Sequence, residues 1–180
     1  MKIQFPNIAI VGTGAMGRGI AQIAAQAGSQ VVLLDANPGA ADAARAALQE
    51  QWNKLVAKGR IEADQATALT ARLHPVTTVA ELAACDLVVE AIVERLDAKQ
   101  ALFVELEGVV RADAVLATNT SSLSVTAIGA SLKRPERLAG FHFFNPVPLM
   151  KVVEVIAGLK TDPSICTALA AYAKAMGHTP

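Results

Sequence analysis

The stretch from residue 7 to residue 35 constrains the fold more than any other part of the chain. Asn7–Val11 (NIAIV) is a short apolar, β-branched run ending at Gly12, the pattern of a buried parallel strand. A G-x-G-x-x-G segment follows: Gly12-Thr13-Gly14-Ala15-Met16-Gly17. Met16, Ile20, Ile23, Ala24 and Ala27 then fall at helical spacing, and Gly28 is placed to stop the helix. Val31–Leu34 is a second apolar run, with Asp35 at its end. Strand, glycine turn, helix and strand make one βαβ unit. Alone, the glycine pattern is weak; in this context it is the fingerprint of a dinucleotide-binding turn.

Each position has a physical reason. Gly12 allows a tight turn, Gly14 lets backbone approach a pyrophosphate, and Gly17 permits close packing of helix on strand. Thr13, Ala15 and Met16 complete the turn, whose helix N-terminus offers unpaired N–H groups and partial positive charge to phosphate. A carboxylate at Asp35 can accept hydrogen bonds from both ribose hydroxyls of an adenosine. It would repel a 2′-phosphate, which favours NAD over NADP. FAD uses the same fingerprint, and the residues leave it open.

Composition narrows the class. The 180 residues suit one domain with a sizeable core. Sixteen basic side chains balance sixteen acidic ones, which argues against a dedicated nucleic-acid binder. Charged residues at 18% and hydrophobic ones at 53% exclude a mainly disordered chain. Cys85 and Cys166 form neither a metal spacing nor a disulfide framework, which suits a reducing compartment, and no metal is expected. The apolar stretch from Ile8 to Ala27 is interrupted by Arg18, Gln22, Gln26 and glycines, so it reads as strand, turn and helix rather than a membrane span. Met1–Asn7 does not resemble a signal peptide, and a soluble, cytoplasmic protein is expected.

Further on, the pattern predicts helices over 40–58 and 62–73, a short strand over 75–78, a strand over 87–91 and a helix over 97–110. A strand over 115–118, a polar turn, a short helix near Val125, strands over 138–143 and 152–156 and a closing helix over 163–176 complete it. Alternating strands and helices predict an α/β fold, a Rossmann-type doubly wound, mostly parallel sheet with helices on both faces.

Ligands bind such sheets beyond the carboxyl ends of the strands. Glu90, Glu94 and Lys99 follow one strand end, and Asn119, Thr120, Ser121 and Ser122 the next. His142 ends another, and a hairpin return would bring Glu154 to it. Read blandly, His142 is a core histidine, Glu154 a solvent-facing strand residue, Glu94 and Lys99 surface charges, and Asn119 and Ser121 helix caps.

In these residues and their order the sequence resembles the NAD-binding domain of 3-hydroxyacyl-CoA dehydrogenases. The resemblance rests on VGTGAMGRGIAQ at 11–22, DLVVEAIVERLDAKQALF at 86–103, NTSSLS at 119–124 and GFHFFNPVPLMKVVEV at 140–155. It spans nearly the whole chain and looks most like the 3-hydroxybutyryl-CoA and 3-hydroxyadipyl-CoA branch. It implies NAD as cofactor and a 3-hydroxyacyl-CoA, oxidised reversibly to a 3-ketoacyl-CoA, as substrate. Asp35 matches the ribose ligand; Glu94 and Lys99 match residues contacting the nicotinamide half. Ser121 matches the serine bonded to the 3-oxygen, and Asn145 the asparagine positioning nicotinamide and substrate. His142 matches the catalytic histidine and Glu154 its carboxylate partner, while Lys58 aligns with a basic segment that meets coenzyme A.

The chemistry agrees with those roles. Oxidising a secondary alcohol requires a base of near-neutral pKa, which histidine supplies, and a carboxylate on its other nitrogen fixes the tautomer. The resemblance also implies a second, helical domain that completes the substrate cleft and makes a homodimer. This chain is expected to be a truncated piece ending near the first domain's last strand, able to bind NAD but poorly active and prone to self-association. Two other readings stay open: a non-catalytic crystallin-like relative, and another Rossmann dehydrogenase using a catalytic lysine.

Overall fold

The structure is a computed structural model that describes residues 4–180; the first three residues of the Met1–Asn7 stretch lie outside the described residues. One sheet holds β1 (Asn7–Val11), β2 (Gln30–Leu34), β3 (Leu73–Pro75), β4 (Leu87–Glu90), β5 (Val115–Thr118), β6 (Leu138–Phe143) and β7 (Val153–Ala157). Their order is β3-β2-β1-β4-β5-β6-β7. The first six strands are parallel, and β7 runs antiparallel to β6. Winding reverses at β1, so a crevice opens above the carboxyl ends of β1 and β4.

Six helices cover the sheet: α1 (Ala15–Gln26), α2 (Ala40–Ala57), α3 (Ala63–Ala71), α4 (Leu96–Val109), α5 (Val125–Gly129) and α6 (Pro163–Ala175). Strand side chains alternate between the two faces. Ile8, Ile10, Leu87, Val89, Val115 and Ala117 meet Ile20, Trp52 and Tyr172 on one side. Ala9, Val11, Val88 and Leu116 meet Phe103, Leu106 and Ile128 on the other. The strands are therefore buried on both faces, which explains their unbroken apolar runs. The doubly wound arrangement is the one the sequence predicts.

One strand is displaced from its expected place. Instead of 75–78, β3 spans Leu73–Pro75 and pairs with Val31–Leu33, which also ends the preceding helix at Ala71. The reason lies in Glu81, whose Oε1 accepts the backbone N–H groups of Thr77 and Thr78 at 3.1 and 3.0 Å. Those donors are spent on a capping box that opens a 3₁₀ turn over Val79–Leu82, and pairing stops. At the opposite edge, β6 and β7 pair Phe141 with Val155, His142 with Glu154 and Phe143 with Val153. Thr179 adds a parallel bridge to Val152.

Candidate active site

The phosphate turn is built from backbone. Gly12 has φ +93°, and a Cβ there would lie 2.5 Å from the Ala91 carbonyl oxygen. At Gly17 a Cβ would lie 1.7 Å from the Gly12 carbonyl oxygen, so helix and turn are in direct backbone contact. A Cβ at Gly14 would meet nothing within 4 Å: the space before the helix is open to a ligand. Gly14 is the N-cap of α1, no side chain caps that end, and its first turn holds no acid. An open cradle beneath unclaimed N–H donors fits a pyrophosphate.

Asp35 stands beside the turn. Its Oδ2 accepts the backbone N–H and the hydroxyl of Thr13 at 2.7 and 2.9 Å, and its Oδ1 accepts the N–H and side-chain amide of Asn37. Burial pushes the carboxyl up, but these four hydrogen bonds outweigh it and hold Asp35 below its ordinary value. It is an anion beside the glycine turn.

On the other side of the turn is a cleft of about 340 Å³, whose walls include Met16, Glu94, Ser121, His142 and Asn145. Glu94 organises one wall. Its Oε1 accepts the hydroxyl of Thr120 and the backbone N–H groups of Ser121 and Ser122, the latter two at 3.0 and 3.2 Å. Burial raises the Glu94 carboxyl, yet the Thr120 hydroxyl, the Ser122 N–H, the Lys99 ammonium and the Ser121 N–H together lower it to about 2. Ser121 is exposed toward the cleft and caps no helix; Ser124 caps α5 by accepting from Ala127. Asn119 accepts the Phe143 N–H through Oδ1 at 2.9 Å, tying the end of β5 to the end of β6.

His142 forms the opposite wall. Phe141 and Phe143 turn into the core at 0% and 1% exposure, so strand alternation sends His142 the other way. Its Nδ1 lies 2.8 Å from Glu154 Oε2, across the β6–β7 ladder. A carboxylate at Nδ1 fixes the tautomer whose Nε2 lone pair is free to accept a proton. Asn145 sits between this cleft and a second one, also about 340 Å³, that runs past Ala15, Arg18, Gln22 and Gln51. Gly19 lets the following loop press onto α1, since a Cβ there would come within 2.8 Å of Val147.

Two residues are placed differently from the rest of the expected set. Lys99 is 1% exposed and lies beneath the wall, so it reaches the cleft only through Glu94. Lys58 is exposed at the C-cap of α2 and lines neither cleft.

Two further residues support the site from below the surface. Glu90, fully buried, bonds Lys99 at 2.5 Å, and its other oxygen accepts the Thr118 hydroxyl at 2.7 Å. An acid closing the otherwise apolar run LVVE was the available signal. His178 is also buried and meets the Val147 carbonyl through Nε2 at 3.0 Å, pinning the loop that carries Asn145. Among the described residues, no cluster of His, Cys, Asp or Glu could hold a metal, and no helix is long and apolar enough to cross a membrane. A smaller hollow of about 210 Å³, between α5 and the turn after β7, lies apart from these groups.

Switch-point crevice, glycine turn and the acid at the end of β2 define a dinucleotide-binding α/β domain. Residues 7–180 match the family described as 3-hydroxyacyl-CoA dehydrogenase, NAD binding domain, and the chain belongs to that family. It is 44% identical over 180 residues to the 3-hydroxyadipyl-CoA dehydrogenase of Escherichia coli (strain K12), covering 100% of this chain and 38% of that protein. Against the 3-hydroxybutyryl-CoA dehydrogenase of Clostridioides difficile it is 39% identical over 174 residues, covering 97% of this chain and 62% of that one. The crystal structure of 3-hydroxybutyryl-CoA dehydrogenase from Escherichia coli K12 superposes with a TM-score of 0.95 at 44% identity, over 98% of this chain and 37% of that chain. This chain thus spans between 37% and 62% of the length of these relatives.

Proposed function

We propose that this domain serves the NAD-dependent oxidation of a 3-hydroxyacyl-CoA to a 3-ketoacyl-CoA. The observation that carries the reading is the His142–Glu154 pair, 2.8 Å apart, facing the cleft that begins at the phosphate turn. Bound NAD would accept the hydride. Gly12–Gly17 would hold its phosphates, Asp35 its adenosine ribose, and Glu94 with Asn145 the nicotinamide end. Lys99 would act by holding Glu94 from below. Ser121 would hydrogen-bond the substrate's 3-oxygen. His142 Nε2 would take the hydroxyl proton, and Glu154 would stabilise the imidazolium that forms. In reverse, that imidazolium would return the proton to the 3-keto oxygen.

The substrate class rests on the relatives, which are named for 3-hydroxyadipyl-CoA and 3-hydroxybutyryl-CoA. Lys58 keeps a weaker role, a coenzyme A contact made at the end of α2. A second, helical domain would close the open side of the cleft and supply the dimer contact. Support comes from the fraction of the relatives this chain spans and from the exposed Leu149, which lines the second cleft, with the exposed Met150 and Val152 that follow it in the chain. We place the protein in the cytoplasm, in keeping with its free cysteines.

The test is turnover of a 3-hydroxyacyl-CoA by the protein joined to its second domain, with and without His142→Gln. A loss of about 10²–10⁴-fold in kcat is expected for a missing general base. Unchanged turnover would overturn the reading.

A further inference from the structure

The cleft's charge is set one layer below its surface. Glu90, Lys99 and Glu94 form a chain of two carboxylates around one ammonium, with Lys99 Nζ 2.5 Å from Glu90 and 3.3 Å from Glu94. Glu90 and Lys99 are sealed from solvent at 0% and 1% exposure, whereas the Glu94 side chain, at 37%, meets the cleft. Glu90 sits at the end of β4 and Lys99 on α4, so neither touches a ligand. One ammonium is shared by two carboxylates, so the three groups carry one net negative charge, which meets the cleft at Glu94.

The geometry also fixes which part of a dinucleotide lies there. With Asp35 taken as the adenosine-ribose ligand on the β2 side of the phosphate turn, the other end of the molecule lies on the β4–β5 side. Oxidised nicotinamide is a cation and reduced nicotinamide is neutral. An anion in the wall therefore acts on one redox form and not on the other.

We propose that Glu90 is a positioning residue that, by neutralising Lys99, keeps Glu94 anionic in effect and raises the affinity for oxidised cofactor relative to reduced. The inference rests on the NAD reading above. The His142–Glu154 pair lies on the other wall and is left untouched by the test.

The experiment is a titration of the protein with NAD⁺ and with NADH, read by fluorescence or calorimetry. Glu90→Gln keeps the shape and an oxygen for Lys99 while removing the charge. It should raise the dissociation constant for NAD⁺ relative to NADH by about tenfold, the order expected of one unit charge acting at short range through protein. The double variant Glu90→Gln/Lys99→Met removes both charges; losing the Lys99 contact to Glu94 should weaken both forms alike, while the ratio between them returns to that of the unsubstituted protein. A merely structural role would make the ratio in the double variant worse, not better. If Glu90→Gln alone proves unstable, the double variant still decides: a ratio unlike that of the unsubstituted protein overturns the proposal. A ratio that Glu90→Gln leaves unchanged also overturns it, without touching the NAD reading. Failure of the unsubstituted protein to bind either form would overturn both.

Discussion

The two ends of the cofactor crevice are made of different materials. The phosphate end is backbone: Gly12, Gly14 and Gly17, six residues of continuous chain, with one side chain, Asp35, at its flank. The far end is side chains gathered from four separate strands or strand ends: Glu94 after β4, Ser121 after β5, His142 on β6 and Glu154 on β7. Backbone geometry is local and rigid, and suits a group shared by every dinucleotide. Side chains from many strands can be varied one at a time, and suit the particular reaction. A binding platform and a chemical site are thus joined with little shared material.

That division makes separable predictions. The largest effect belongs to the chemical end. Glu154→Gln removes the charge at His142 Nδ1 from a half-exposed position, so folding should be unaffected while kcat falls by about 10²-fold or more. If NAD affinity fell equally, the two ends would not be separable. Gly17→Ala attacks the platform instead, forcing a methyl group to within 1.7 Å of the Gly12 oxygen. Stability should drop by about 1–3 kcal/mol, as overpacking does, seen in denaturant unfolding, and NAD binding should weaken at least tenfold. Next in size, Asp35→Ser should cut the preference for NAD over NADP by about tenfold in paired titrations; equal affinities in the unsubstituted protein would deny Asp35 its role.

The smallest effect concerns acid. The folded Glu94 carboxyl lies at about 2, below its ordinary 4.5. Such a group contributes stability that is complete above pH 4.5 and is lost as pH falls toward 2. Glu94→Gln should flatten the thermal-unfolding curve in that window by about 2 °C. An unaltered acid limb would mean that its hydrogen bonds to the Ser121 loop add nothing to the fold.

The same division explains what could be read from the amino-acid order. The platform was legible because its glycines, its helix and Asp35 fall within 29 consecutive residues, where spacing alone implies geometry. His142 and Glu154 were legible as candidates, since alternation on each strand and a hairpin return suffice to pair them. The burial of Lys99 was not: named as a candidate contact, it gives no sign in the sequence that the packing of α4 against the end of β4 buries it beside Glu90. His178 was opaque for a similar reason, its partner being a backbone carbonyl 31 residues away. The displaced β3 shows a local rule overridden by another, because Thr77 and Thr78 satisfy their N–H groups on Glu81 before a strand can claim them.

The pairing of His142 with Glu154 has a further consequence. The two residues are direct partners in the antiparallel ladder, and the rungs on either side, Phe141 with Val155 and Phe143 with Val153, send three of their four side chains fully or nearly fully inward. A slip of one residue would turn the phenylalanines out to water and the histidine into the core in the same motion. The His142–Glu154 contact and the packing of the core therefore rise and fall as one quantity. The sheet proofreads its own edge: a chain that has found its register has, by that act, set the imidazole against its carboxylate.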